Sequence, residues 1–325
     1  MTTYLLRRLF GALALVAISV SLGFFVLHVI PGDPLGMVTG QAGRNADALA
    51  QLRIQYGLDQ SITTQYTHFM SRALTGNFGT SLTDGEPVLP ALLSAVNNSL
   101  ILGVTGLVLA VLLGSAVGSL QGWKPRSIFG RLMGSALTVC YAAPEFMVAI
   151  ALIALLAYRW ALFPVGGLMD PVVGMVGTRL EQLRDELWHL VLPALTLAIG
   201  WGAAVARQQR SALRDIAREH HVRSARAKGV TERQVFRQHA FRPSLPSVIV
   251  IVGLMIPELL GGAVVVETLF SWPGVGSLLL KSIAARDYPM VSAAIVVVGI
   301  MVSLGSLLTD VLIATIDPRV HFEAN

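Results

Sequence analysis

Residues 100–121 read LILGVTGLVLAVLLGSAVGSLQ, 22 consecutive positions without an ionisable side chain. About 20 such residues in a helix span the ~30 Å hydrocarbon core of a bilayer. Outward from this run the pattern repeats. Leu9–Ile30 precedes it, also uncharged, and four more runs follow: Leu132–Tyr158, interrupted only by Glu145; Leu190–Ala206; Leu245–Val266, with Glu258 inside it; and Met290–Thr309. These six runs predict an all-α membrane protein with six transmembrane helices and a large outer loop between the first and second.

Composition agrees. The chain of 325 residues is 54% hydrophobic and 13% charged, where a soluble domain carries about 25% charged residues. A mean hydropathy of +0.66 excludes both a soluble enzyme and an extended disordered chain. The lone cysteine, Cys140, excludes an intramolecular disulfide framework and a cysteine-based zinc site. A net charge of +5 raises the possibility of nucleic acid, but the basic residues flank membrane segments instead of covering a soluble face. The surroundings that this sequence implies are a lipid bilayer, with no nucleic acid partner.

Arg7 and Arg8 before an apolar run also fit a signal peptide. The run is longer than a usual signal core, and Pro31-Gly32-Asp33-Pro34 after it offers no small-residue cleavage site. The segment reads as a retained helix. Lys and Arg then set orientation. The N-terminus, 122–131, 207–244 and the C-terminal tail hold 16 of the 24 basic residues, ten of them in 207–244. Both termini are therefore expected in the cytoplasm of a multi-pass protein. The layout is 1–30, N-terminus and first helix; 31–99, outer loop with short helices; 100–312, core with helices 2–6; and 313–325, cytoplasmic tail.

Inside the outer loop, Asp47–Tyr56 reads as a short helix stopped by Gly57. Ile62, Tyr66, Phe69, Met70 and Leu74 form an apolar stripe at helical spacing, stopped by Gly76. The stripe fits a passive cap over the bundle and equally a docking surface or gate. In the second outer loop Thr178 and Glu181 make a capping box, with Leu183, Leu187 and Leu190 on one face of an interfacial helix.

The cytoplasmic loop 207–244 is the most informative. Gly229 suits the left-handed position that ends a helix. Thr231 then caps the next helix with Gln234 as its capping-box partner, and Val230 and Val235 sit where a hydrophobic staple packs. Two short helices with a fixed elbow result. Ala225 and Gly229, four apart, are small enough to let a partner surface approach. The bland alternative is that the ten cations only enforce topology and touch anionic lipid. His220, His221 and His239 complete no metal-ligand pattern, and no Walker A motif appears, so the chain is not itself an ATPase.

Two carboxylates lie in the apolar runs. Glu145, after Pro144, is the 14th of 27 residues in its run, and Glu258, after Pro257, is the 14th of 22. Acidic side chains at that depth usually face a bundle interior or a watery cavity, and each proline can open local backbone. They fit a substrate pathway that attracts an ammonium group, or protonated carboxyls bonded to a neighbouring helix.

Val222-Arg223 followed by Ala225-Arg226-Ala227-Lys228-Gly229-Val230 resembles the EAA loop of ABC importer permeases, in the form found in the oligopeptide/dipeptide branch, where a basic residue such as Arg223 stands in for the glutamate. Gly57-Leu58-Asp59-Gln60, Tyr66, Gly76-Asn77-Phe78-Gly79-Thr80-Ser81, Pro31-Gly32-Asp33-Pro34, the stretch 262–274 (GAVVVETLFSWPG) and Asp317-Pro318-Arg319 are similar to the OppB/DppB-type subunit. The resemblance covers essentially the whole chain, in order. It departs at Pro243, near which the family has Asn, and at Pro246, which falls one residue earlier than the family's proline.

The resemblance implies the type I importer permease fold, in a bacterial cytoplasmic membrane, with no enzyme activity and no cofactor in this chain. It implies a second homologous permease (OppC/DppC-like), two cytoplasmic ATPase subunits that bind ATP and Mg, and an extracytoplasmic peptide-binding protein. The residues around Gly229 would couple to one ATPase. The substrate implied is a peptide, dipeptide or oligopeptide; nickel complexes, glutathione and glycosides are the alternatives within the same branch. A more distant alternative, an intramembrane enzyme, would have to build its site from Glu145, Glu258, Cys140 and His28.

Overall fold

The computed structural model describes residues 2–29, 54, 59–261 and 263–316. Among these there is no strand; one isolated bridge joins Thr80 and Pro87. The helices are α1 (Thr2–Val29), α2 (Ile62–Thr75), α3 (Val88–Trp123), α4 (Ile128–Ala142), α5 (Glu145–Leu152), α6 (Pro171–Val176), α7 (Arg179–Ile216), α8 (His220–Ala227), α9 (Glu232–Gln234), α10 (Arg242–Gly261), α11 (Val264–Leu269), α12 (Val275–Ala284) and α13 (Tyr288–Ile316). Wide π-helical turns at Ile153–Arg159 and Val235–Phe241 continue α5 and join α9 to α10. The helices proposed for Asp47–Tyr56 and the motifs at 31–34, 57–58 and 317–319 lie outside the described residues, apart from Ile54.

Four described helices are long and apolar enough to cross a bilayer singly: α3, α7, the continuous segment Glu232–Leu259 and α13. The first and third expected spans are built differently. In α1 the apolar stretch is the shorter Phe10–Phe25. The third run is not one helix. Ala143 and Pro144 are both extended (ψ 137° and 142°) and separate α4 from α5. Proline disfavours the helical conformation of the residue before it, so the break falls where Pro144 dictates. Pro257 has no such effect, and α10 continues through it to Gly261. The fifth run also ends early: Val264–Val266 belong to the separate α11. The fourth run, Leu190–Ala206, is the middle of the 38-residue α7, which starts at the expected capping box. Thr178 Oγ1 accepts from the Glu181 amide, and the Glu181 carboxylate accepts from the Thr178 amide at 2.7 Å.

The core is centred on α3 against α7. Gly114, Gly118 and Gly122 recur every fourth residue on α3 and press on Gly202, Ala206 and Leu213 of α7; a Cβ on Gly114 or Gly118 would collide with the carbonyl oxygen of Gly202 or Ala206. Within a bilayer, where hydrophobic burial does not drive helices together, such close backbone approach supplies the dispersion contact that does. Leu102, Leu192, Leu197, Trp201 and Val205 fill the same seam. The stripe of α2 meets the C-terminal half of α1: Phe69 stacks on Phe24 and Tyr66 on Phe25, with ring centroids 5.3 and 5.5 Å apart. Gly76, left-handed at φ 70°, ends α2.

Candidate functional sites

The elbow of the 207–244 loop forms from residues that close on one another locally. Gly229 has φ 78°. Its amide donates to the Arg226 carbonyl and the Val230 amide donates to Ala225, at 3.0 and 3.2 Å. This is the paired hydrogen-bond pattern of a Schellman ending. Val230 then packs on a small cluster of Val222, Ala225 and Val235, backed by Trp123 from the end of α3 and Ile216 from the end of α7. Arg226 bonds Glu232 through two nitrogens, at 2.8 and 3.2 Å, and its guanidinium lies 5.0 Å from the Trp123 ring centroid. That ion pair is largely exposed, so its contribution is about 0–1 kcal/mol. Val222 and Val235, both fully buried, contribute about 1.5–3 kcal/mol each. Apolar packing therefore sets the elbow, and through Trp123 it couples the elbow to the end of α3.

Two expectations are corrected here. Thr231 makes no side-chain cap to the backbone; its hydroxyl instead donates to the Gln234 side-chain oxygen at 2.9 Å. Val222 and Ala225 face the chain's own core, so Ala225 offers no close approach to a partner. What the elbow presents outward is Arg223, Arg226, Ala227, Lys228 and Gly229, with Val230 half-buried between them. Of the three histidines, His221 bonds the His239 carbonyl at 2.9 Å and lies 3.0 Å from Glu219, while His220 is exposed.

The structure brings Glu145 and Glu258 together. Both line one cavity of about 290 Å³, with Tyr141, Thr196, Gly200, Trp201 and Met255 among its walls. Glu145 is there because the Pro144 break places it in the first turn of α5. Gly200 of α7 adjoins it: a Cβ at that position would make an ordinary contact, 3.7 Å from Glu145 Oε1. Among the described residues neither carboxyl forms a hydrogen bond or ion pair. Trp201, 5% exposed, also contributes a buried indole Nε1 with no partner. Two acceptors thus converge on one opening.

Sequence reading passed over the roles of two buried carboxylates, Glu267 and Asp287, at the end of the bundle away from the elbow. Glu267, fully buried, accepts from Ser99 Oγ at 2.7 Å and from the Ser277 amide at 2.9 Å. Trp272 Nε1 donates to the Asn98 carbonyl and Asn98 Nδ2 to the Pro273 carbonyl. This network binds α11 and α12 to α3. Asp287 accepts from Ser81 Oγ and the Leu82 amide, tying the 77–87 loop to the start of α13. Glu267 and Ser81 belong to the motif stretches and Asp287 to none; neither carboxylate's role is readable from sequence, because their partners lie about 170–200 residues away.

A helical bundle with long apolar helices, a packed elbow in its most basic loop and a carboxylate-lined opening is the construction of a membrane transport subunit rather than an enzyme. Comparison with known families agrees. Residues 110–322 match the model of the binding-protein-dependent transport system inner membrane component, and residues 1–102 match the N-terminal model of the same membrane components. The chain belongs to this family of multi-pass permeases of ABC importers. It is 33% identical over 323 residues to the oligopeptide transport system permease protein AppB of Bacillus subtilis, covering 99% of this chain and 100% of that one. It is 34% identical over 338 residues to the dipeptide transport system permease protein DppB of Escherichia coli K12, 99% of each chain. It is 33% identical over 325 residues to the glutathione transport system permease protein GsiC of Salmonella typhimurium, 99% of this chain and 100% of that one. As a component of such systems it works with ATPase and substrate-binding partners.

Proposed function

We propose that the chain forms half of the translocation pathway of a peptide importer. The observation that carries this reading is the pair of unpartnered carboxylates, Glu145 and Glu258, in one cavity at the middle of the apolar segments. A cavity of that chemistry suits the ammonium group of a peptide. The full-length similarity to AppB and DppB supports the same substrate class. Similarity to GsiC favours glutathione as a second reading, since that molecule also carries a free ammonium.

In this reading a second, homologous permease completes the pathway, and two ATPases bind ATP and Mg in the cytoplasm. The outward residues of the elbow, Arg223 and Arg226 to Gly229, seat on one ATPase, while Val222, Ala225 and Val230 hold the elbow rigid so that its motion reaches the helices. An extracytoplasmic binding protein delivers substrate. This chain binds no cofactor of its own.

The membrane crosses six times, with α1 and the α4–α5 pair supplying the two crossings that no single long helix makes, and both termini are cytoplasmic. Reporter fusions at Arg126 and Arg226 are expected to report the cytoplasm, and fusions at Gly76 and Arg179 the outside. An outside location for Arg226 would overturn the orientation. The functional test is purification of the tagged chain with its neighbours, followed by uptake in vesicles. Stoichiometric ATPase subunits and ATP-dependent uptake of tri- and tetrapeptides are expected. Uptake of reduced glutathione but of no other peptide would select the second reading, and uptake of neither would overturn both.

A further inference from the structure

The cavity of Glu145 and Glu258 does not end in apolar packing on its cytoplasmic side. Tyr141, one of its walls, is covered by Arg207, whose guanidinium lies 3.8 Å from the ring centroid. One and two turns further along α7, Arg210 and Arg214 join Lys124 and Arg131 around a second cavity of about 430 Å³. Its other wall is the α4 face of Gly134, Ser135 and Thr138, the helix that carries Tyr141. Helices α4 and α7 therefore line both cavities, acidic at mid-membrane and basic towards the cytoplasm. Among the described residues no carboxylate lies within 4.0 Å of any of these five cations.

Cations that only enforce topology need to sit near the membrane surface. They need not converge from α4, α7 and the end of α3 on one cavity, free of acidic neighbours, along the helices that hold the acidic cavity. Lipid is a poor occupant as well. Glu258 is exposed in the isolated chain, in the last turn of α10 but within the apolar run 245–266, and a carboxylate there faces protein or water, not acyl chains.

We propose that this face recognises both ends of a zwitterionic peptide, its ammonium at Glu145 and Glu258 and its carboxylate at Arg207, Arg210 and Arg214. The inference rests on the peptide reading above. It adds a length to it. Along α7, at about 1.5 Å per residue, Arg207 lies about 10 Å and Arg210 about 15 Å beyond Gly200, which adjoins Glu145. An extended peptide advances about 3.3–3.6 Å per residue, so chains of roughly three to five residues bridge the two groups of charges. A dipeptide, about 7 Å long, falls short of Arg210.

The test is competitive uptake by the complete importer in vesicles, with its binding protein and ATPases. A tetrapeptide with a free C-terminus competes against its C-terminal amide. The binding protein's own preference is common to every permease variant, so a change in the ratio belongs to this chain. The wild type is expected to favour the free acid about tenfold, the scale of one charge-assisted hydrogen bond. The double variant Arg210→Gln, Arg214→Gln should lower the ratio severalfold, the remainder being held by Arg207, while still importing the amide. Arg210→Lys, Arg214→Lys should keep the preference, and dipeptides should show little of it in any variant. An unchanged ratio in the Gln double variant would overturn the proposal. So would an equal fall for acid and amide, which would assign the cations to assembly or to anionic lipid. No peptide uptake by the wild type would remove the peptide reading itself, a result visible before any variant is made.

Discussion

A Gly229→Val permease is expected to insert and to co-purify with its companion permease, yet to lose most substrate-stimulated ATP hydrolysis. The backbone at Gly229 is left-handed, φ 78°, and open space surrounds the position where a Cβ would sit. The penalty is therefore conformational. A left-handed residue with a Cβ costs about 1–2 kcal/mol, and a β-branched side chain stands at the upper end or beyond. Relief of that strain requires giving up the Gly229 and Val230 hydrogen bonds to Arg226 and Ala225, and with them the packing of Val230 on Val222 and Val235. If the elbow must hold this form to transmit motion, 1–2 kcal/mol corresponds to a fall of roughly 5–30-fold in coupled turnover. Gly229→Asn separates backbone from bulk, because asparagine tolerates the left-handed region and should retain most of the activity. Measured substrate-stimulated hydrolysis equal to wild type in Gly229→Val would mean that this elbow does not transmit.

The elbow was legible in sequence because its determinants are local. Gly229, Val230 and Val235 lie within seven positions of one another, and glycine after an amphipathic turn has few other uses. Which way Ala225 points was not legible, since that depends on Trp123 arriving from the end of α3 about 100 residues earlier. The same distinction runs through the fold. The apolar runs marked α3 and α13 correctly, for a bilayer makes hydropathy nearly sufficient there. They misjudged the third and fifth runs, where Pro144 and the non-helical Ala263 interrupt the helix without interrupting hydrophobicity. The three-glycine spacing at Gly114, Gly118 and Gly122 was available as a helix-packing signal and names the α3–α7 seam. Glu267 and Asp287 were not recoverable, because a buried carboxylate is recognised by partners that only the folded chain supplies. Glu145 and Glu258 stood out singly for their depth; that they share one cavity is a fact of tertiary structure.

Conversion of Glu145 and Glu258 to glutamine, singly and together, is expected to leave assembly and basal ATP hydrolysis intact while lowering uptake of peptides with a free amino terminus. Glutamine keeps the shape and most hydrogen-bonding capacity of the side chain and removes the charge. A structural role would need hydrogen bonds to a neighbouring helix, and among the described residues neither carboxyl makes one. An acidic side chain within an apolar segment costs up to about 2.5–3.5 kcal/mol even by lenient scales, and a ligand's ammonium would offset part of it. A hydrogen bond to a charged group contributes about 1.5–3 kcal/mol, so each single variant should raise the peptide concentration for half-maximal uptake about 10-fold or more. Because both carboxylates face one cavity, the double variant should fall short of the sum of the singles, the coupling expected of groups that share a ligand. N-acetylated peptides supply the control: lacking the ammonium, they should be imported alike by wild type and variants. Unchanged uptake of free-amine peptides in both singles and the double, or equal loss for free and acetylated peptides, would remove these carboxylates from the pathway.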